Sequence, residues 1–383
     1  METFDVGVIG AGIHGAAAAY HLAERDARVV VIDAGTPAGG PTGRSSAICR
    51  AYYTNSFLAT CARDSIAMFE RFDDITGSSA GFVKTGFLFL HPPEDDEAMR
   101  ASVDRLNGLG IAVDVLEGDA LSECARGFDL AGIGVAAYER NAGYADPHAV
   151  TEGLYRRAVQ LGAKGRLGRR VIDVRRLSSG AVLVLDDGSE ISCERVLIAA
   201  GPWTRPLAAK AGAELPLTVE RHIVATFQWA GIEPAPSHGD LVKGYYFRRE
   251  GEDLYLVGPT HEAANVHPDH FEESILPDEV EDLARRVTTR VPRLAASEAH
   301  GGWASLYDMS PDWQPLIGQI APGIFVDAGT SGHGFKLAPA LGGHLAGMVL
   351  EEETDPGLAA FDPFRFETGR ALPSGYRDNR ILG

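Results

Sequence analysis

The segment AGTSGHGFKLAPALGGH, Ala328 to His344, sets Thr330, Ser331, His333 and Lys336 among glycines and then turns apolar. These residue types suit an anion. Glycine lets main-chain N–H groups converge on one point, and the periodicity from about Leu337 to Leu350 predicts a helix whose start carries partial positive charge. A lysine at that end is electrostatically unfavourable unless an anion offsets it, so Lys336 predicts a negative partner. The alternative is a lysine whose stem covers an apolar helix face.

An earlier glycine cluster has a more definite geometry. The stretch FDVGVIGAGIHGAAAAYHLAERDARVVVIDAG reads as a strand over Val6 to Ile9, a tight turn, a helix over Ala16 to Arg25 and a second strand over Val29 to Ile32. Gly10, Gly12 and Gly15 stand at G-x-G-x-x-G spacing on the strand-to-helix turn, with Ile13 and His14 between the last two. In that setting the glycines serve the turn, the close approach of a pyrophosphate and helix-to-strand packing. The helix start aims N–H groups at phosphate, and Asp33 ends the second strand where a ribose diol is hydrogen-bonded. The whole strand-turn-helix-strand context, rather than the glycines alone, predicts dinucleotide binding. A nicotinamide dehydrogenase would continue directly into alternating strands and helices. Here the chain departs into GTPAGGPTGRSSAICRAYYTNS, which suggests a cofactor reaching far from its adenine, as FAD does.

Bulk composition narrows the class. A chain of 383 residues allows two or three domains and a substantial core. Its 35 basic residues face 53 acidic ones, and the net charge of -18 disfavours nucleic acid and anionic lipid, so any anion must be captured locally. The four cysteines have neither C-x-x-C pairing nor zinc-like spacing, which argues against a metal site or a disulfide framework. No run of about eighteen apolar residues occurs and METFDVGVIGAG is no leader, so a soluble cytoplasmic protein is expected, with no membrane and no nucleic acid among its partners.

Several separated segments, in order, carry a likeness. VGVIGAGIHGAAAAYHLAERDARVVVID, TGRSSAICRAYY, GYADPHAVTEGLYRRAVQLGAK, ERVLIAAGPWT and PLIGQIAPGIFVDAGTSGHGFKLAPALGGHLA together resemble the D-amino-acid oxidase superfamily of FAD enzymes, in its sarcosine oxidase and N-methyl amino acid oxidase branch. The resemblance implies that Arg44, Ser45 and Ser46 run along the pyrophosphate and ribityl chain, a solvated loop being the other reading. It places the backbone of Val171 against adenine, Gly201 where a Cβ would collide with the cofactor, and Trp203 either over the isoalloxazine or in the core. Gly332, Gly334, Phe335 and Lys336 fall in its cofactor turn, where preplaced donors stabilise the negative charge of reduced flavin. Arg50 and Lys336 match the two cations that hold a substrate carboxylate from opposite sides. A guanidinium suits that role because it offers two parallel donors and stays charged; an internal salt bridge is the alternative. Tyr307 matches a pocket wall, and His333, Tyr53 and His222 are weaker pocket candidates.

Two departures from the pattern bear on chemistry. Members with covalent flavin carry a cysteine where this chain has Ser305, so FAD is expected to be noncovalent. The strand matched to DLYLVGPTH lacks the lysine associated with oxygen activation, with Tyr255 or Leu256 nearest, so an electron acceptor other than oxygen is a real alternative.

The expected architecture is α/β: a Rossmann-like FAD-binding domain of residues 1–81, 140–213 and 316–383, with a discontinuous α+β substrate domain of residues 82–139 and 214–315 on a mixed sheet. The expected reaction is oxidation of the C–N bond of an amino acid or N-substituted amino acid, with hydride passing to flavin N5 and the imine then hydrolysing. The expected partners are an amine substrate bearing a carboxylate and either oxygen or another acceptor. Alternatives are an FAD dehydrogenase, or a flavin-bearing subunit of a larger sarcosine oxidase-like complex with a partner subunit.

Overall fold

The computed structural model describes residues 1–229 and 235–376. Its first eight-stranded sheet grows from the N-terminal strand Glu2–Ile9, which pairs in parallel with Val29–Asp33 on one side and Glu190–Ile198 on the other. Lys164–Leu167 extends the parallel set beyond Val29–Asp33. The strand Glu190–Ile198 changes partners along its length: residues 190–193 pair antiparallel with Ala181–Leu185, and Val196–Ile198 pair in parallel with Ile324–Val326. The turn between Ala181–Leu185 and Glu190–Ile198 contains Asp187 and Gly188, as the sequence predicts for a hairpin, with Gly188 at φ 81°.

Valine and isoleucine dominate the central strands, and the burial is continuous: Val6, Val8, Val29, Val30, Val31 and Ile32 are fully or almost fully buried. Continuous apolar runs are what a parallel sheet covered on both faces requires. Helix Ile13–Ala23 packs against helix Ala338–Val349, and its alanines permit the approach: a Cβ at Gly342 would sit 2.8 Å from the Ala17 main chain. The helix starts three residues earlier than the pattern predicts because Gly12, in extended conformation, already serves as its N-cap.

A second eight-stranded sheet has the order Glu298–Met309, Thr218–Gln228, Leu254–Pro259, Tyr245–Glu250, His238–Asp240, Phe87–His91, Val135–Glu139 and Val113–Leu116. It is mixed, because His238–Asp240 pairs in parallel with Phe87–His91 while the other neighbours run antiparallel. The amphipathic helix Pro277–Arg290 buries Leu283 and Val287 in an aromatic cluster with Phe227, Trp229, Phe247 and Tyr255. Arg290, 1% exposed, ends that helix and donates to Asp240 at 2.6 Å, which ties the helix to the sheet. A two-residue strand, Ile48–Cys49, pairs with Gly143–Tyr144 and sets the course of the chain just before Arg50. Among the described residues no helix is long and apolar enough to cross a membrane.

Candidate active site

At the carboxyl ends of the parallel strands lies a cavity of about 630 Å³, the position at which open α/β sheets bind ligands. Gly10 leaves the first strand at φ 112°, and a Cβ there would overlap the carbonyl oxygen of Ala199 on the neighbouring strand. No other residue fits. Gly15 has the packing role, since its Cβ would meet the Gly10 carbonyl, and it stands outside the cavity. The helix that follows has no side-chain cap at Gly12, and Thr42 Oγ1 accepts only the Ile13 N–H, at 3.2 Å. Its remaining first-turn N–H groups are available to a phosphate. Both carboxylate oxygens of Asp33 accept main-chain N–H groups, from Ala11 at 2.6 Å and Gly35 at 2.7 Å, so this side chain braces the turn while lining the cavity.

Of the cofactor candidates, Gly10, Gly12, Ile13, His14, Asp33, Arg44, Ser45, Ser46, Val171, Gly201, Trp203, Gly332, Gly334 and Phe335 all line this space. Gly15 and Lys336 do not. Gly201 lines the cavity at φ 50°, which favours glycine, and a Cβ there would meet no protein atom within 4 Å. Arg44 donates to Glu273, at 2.5 Å, and to the Ala304 carbonyl, which fastens the loop bearing Glu273 beside the cavity. Trp203 is half-buried and donates Nε1–H to Asp269 at 2.9 Å, so it is a wall of the cavity rather than core.

His14 adds an acid–base feature to this wall. Its Nδ1–H donates to Asp327 at 2.6 Å, bridging the first helix and the strand Ile324–Ala328. Burial works against the imidazolium, but Asp327 and the nearby Asp308 outweigh it and raise its pKa above the ordinary value. Asp308 accepts from the Gly329 N–H and from the Thr330 hydroxyl, and so holds the C-terminal glycine turn in place.

A second, smaller cavity of about 60 Å³ adjoins the first. Tyr307, Ser45, Ser46, Tyr246, Gly332 and Phe335 line both. Arg50, His333 and Lys336 line only the smaller one, so the structure brings these three together with Tyr307 as the sequence expects, while Tyr53 stays behind the wall. Gly332 has φ 82°, and a Cβ there would overlap the Tyr307 ring. Phe87, Phe89, Ile48 and Leu241, with Gly239 and Thr260, make the rest of the wall.

Two cations are buried here. Arg50 is 6% exposed, donates Nη1–H to the Tyr52 carbonyl at 2.6 Å and lies over the Tyr53 ring at 4.7 Å. Lys336 is also 6% exposed, and its Nζ is 3.4 Å from the His333 carbonyl. Burial, reinforced by Arg50, pushes the Lys336 ammonium well below its ordinary pKa. An anion placed between these groups would restore the charge. His333 is held neutral: burial and then Lys336 lower its pKa to about 3, and its ring nitrogens meet the Trp313 carbonyl at 2.8 Å and the Tyr53 hydroxyl at 3.3 Å. His333 is therefore no proton carrier near neutral pH. Tyr307 stacks on His222 at 3.9 Å, and burial raises its pKa well above the ordinary phenol value, so it acts as a neutral hydroxyl.

The family model for FAD-dependent oxidoreductases (DAO) matches residues 5–348. The chain belongs to this family. Curated relatives include glycine oxidase of Geobacillus kaustophilus, 28% identical over 94% of this chain and 96% of that protein, and sarcosine oxidase subunit beta of Rhodobacter capsulatus, 25% identical over 97% of this chain and 90% of that protein. A 4-methylaminobutanoate oxidase of Paenarthrobacter nicotinovorans is 27% identical over 97% of this chain, which spans 46% of that longer protein. Among solved structures, L-proline dehydrogenase from P. horikoshii superposes with a TM-score of 0.87 at 24% identity, covering 96% of this chain and 99% of that one. The protein is thus an FAD-dependent oxidoreductase, and the uncapped helix start and glycine-lined cavity fit an extended FAD.

Sequence reasoning missed several residues of the smaller cavity. Phe87 and Phe89 alternate in FLFLH and Tyr246 alternates with Phe247 in YYFRRE, so the period of two was visible but not which face met the site. Gly258 lies opposite Tyr246, and a Cβ there would overlap the tyrosine ring. Tyr255 is corrected to core: it packs with Phe227 and Val257, and alternation places Leu256 on the other face, with Gly258.

Proposed function

We propose that the protein oxidises the C–N bond of an amino acid or of an N-substituted, secondary or cyclic, amino acid. One observation carries this reading: Arg50 and Lys336, both buried, line a small cavity that shares the walls Tyr307 and Phe335 with the cofactor cavity. Arg50 and Lys336 present charged hydrogen-bond donors to the same cavity, and a guanidinium binds a carboxylate through two parallel hydrogen bonds. FAD, when bound, supplies the acceptor for the hydride that leaves the carbon next to nitrogen, and water hydrolyses the imine after release.

The chain's own residues orient the substrate. Arg50 and Lys336 fix the carboxylate, which leaves the amine and its neighbouring carbon to face the cofactor cavity. Phe87, Phe89 and Phe335 exclude water, and the small volume selects a substrate of few non-hydrogen atoms. The amine must arrive neutral for hydride to depart, and cations on the wall lower the pKa of an ammonium placed beside them. We assign residues 1–81, 140–213 and 316–383 to the cofactor and residues 82–139 and 214–315 to the substrate; the two eight-stranded sheets support this division, the three-stranded sheet of Ile48–Cys49, Gly143–Tyr144 and Val83–Lys84 crosses it, and residues 230–234 and 377–383 lie outside the described residues.

The acceptor is a separate question. The strand Leu254–Pro259 carries no lysine, which favours slow reoxidation by oxygen and an electron acceptor of another kind. Likeness to sarcosine oxidase subunit beta supports a partner subunit as a further reading. Anaerobic mixing of the FAD-loaded protein with amino acids, N-methyl amino acids and uncharged amines tests the main reading. Bleaching of flavin absorbance by the carboxylate-bearing amines alone is expected; equal bleaching by uncharged amines contradicts it. Admission of air then separates oxidase from dehydrogenase by the rate at which colour returns.

A further inference from the structure

Glu139 ends the strand Val135–Glu139 and is 1% exposed. It lines neither cavity, yet it is bonded to the backbone that carries Arg50. Its Oε1 accepts the Ala51 N–H at 2.8 Å and its Oε2 accepts the Tyr52 N–H at 3.0 Å, the two N–H groups directly after Arg50. The Arg50 guanidinium folds back on the same stretch, onto the Tyr52 carbonyl. A single carboxylate therefore sets the course of the chain at the candidate substrate site.

The charged groups that face it are Arg50, from the loop after Ile48–Cys49, and Lys336, from the turn before helix Ala338–Val349; Cys49 and Tyr53 are its titratable neutral neighbours. Two N–H donors and two cations favour an ionised carboxylate, but burial outweighs them and its pKa is pushed up to about 7. An anion bound by Arg50 and Lys336 draws on the same two cations and adds a like charge nearby. Both effects favour the protonated carboxyl.

We propose that Glu139 is a positioning residue that takes up one proton when a carboxylate binds at Arg50 and Lys336. The proposal rests on the reading of the small cavity as a carboxylate site. Once protonated, Glu139 leaves both cations to the ligand while staying bonded to the main chain. Linkage fixes the sign: where Glu139 is already protonated, binding is independent of pH, and above its pKa binding weakens as pH rises.

The test uses the FAD-loaded full chain, titrated with acetate and with acetamide as the uncharged control. Flavin absorbance is followed from pH 6 to 9, and calorimetry in buffers of different ionisation enthalpy counts protons. In the wild type the acetate Kd is expected to rise by up to about tenfold per pH unit above pH 7, with up to one proton taken up per acetate at pH 8. Glu139→Gln removes both the slope and the uptake. No proton uptake by the wild type at pH 8 overturns the proposal and needs no variant. Uptake and slope that persist in Glu139→Gln overturn it too, because Lys336 is then the group that titrates. If acetamide perturbs the flavin as strongly as acetate, the carboxylate reading itself fails and the proposal falls with it.

Discussion

The two cavities that meet at Tyr307 are built by different means. The larger is made of main chain: glycines at φ values no other residue adopts readily, an uncapped helix start, and carboxylates such as Asp33 and Asp308 that hold turns in place. The smaller is made of side chains, Phe87, Phe89, Tyr246 and Tyr307, closed around two buried cations. A cofactor common to many enzymes is gripped by backbone, which tolerates little change. A substrate particular to one enzyme is gripped by side chains, which can be exchanged without disturbing the chain path.

The largest effects are expected where backbone does the holding. Gly10→Ala would drive a methyl group into the Ala199 carbonyl, and Gly332→Ala into the Tyr307 ring, each at a positive φ. We expect both to purify with little flavin and to bind added FAD at least about 100-fold more weakly, read from the ratio of visible to ultraviolet absorbance. Retention of full FAD by either would break the distinction between the cavities.

On the side-chain cavity the effects fall on substrate and spare the cofactor. Arg50→Met and Lys336→Met each remove a charged hydrogen-bond donor, with an expected loss of about 100-fold in the second-order rate of anaerobic flavin reduction and unchanged FAD content. Tyr307→Phe removes one neutral hydroxyl and keeps the ring against Gly332 and His222, so about tenfold or less is expected in the same assay.

This division also explains what was legible in the sequence. The Gly10, Gly12 and Gly15 turn, the strands on either side of it and the helix after Lys336 could be read because backbone requirements select residue types at fixed local spacings. Glu139 could not, because its partners, Ala51 and Tyr52, lie 88 and 87 residues away and no local pattern marks a glutamate at the end of a strand. The same holds for His14 and Asp327, 313 residues apart. The placement of Tyr255 or Leu256 turned on strand register, where a shift of one residue exchanges core for site.

Histidine protonation sharpens the comparison on a smaller scale. His14, beside the cofactor cavity, is raised by Asp327, so its contribution to stability is present below pH 6.5 and is lost as pH rises through the folded value. His238 in the second sheet has the opposite sign. Burial lowers it to about 4, so its contribution is present above pH 6.5 and is lost as pH falls from 6.5 towards 4, at up to about 1.4 kcal/mol per pH unit. Denaturant unfolding of His238→Gln from pH 4 to 7 should show a flatter acid limb than the wild type, and an unchanged slope would mean that His238 is not buried as a neutral ring.

The most direct test of the central claim compares one N-methyl amino acid with its amide as reductants of the FAD-loaded protein under anaerobic conditions. The wild type should be reduced by the acid at least about 100-fold faster than by the amide, and the Arg50→Met, Lys336→Met double variant should bring that ratio to within a few fold of one. A wild type reduced equally by acid and amide would contradict the assignment of the two buried cations to a substrate carboxylate.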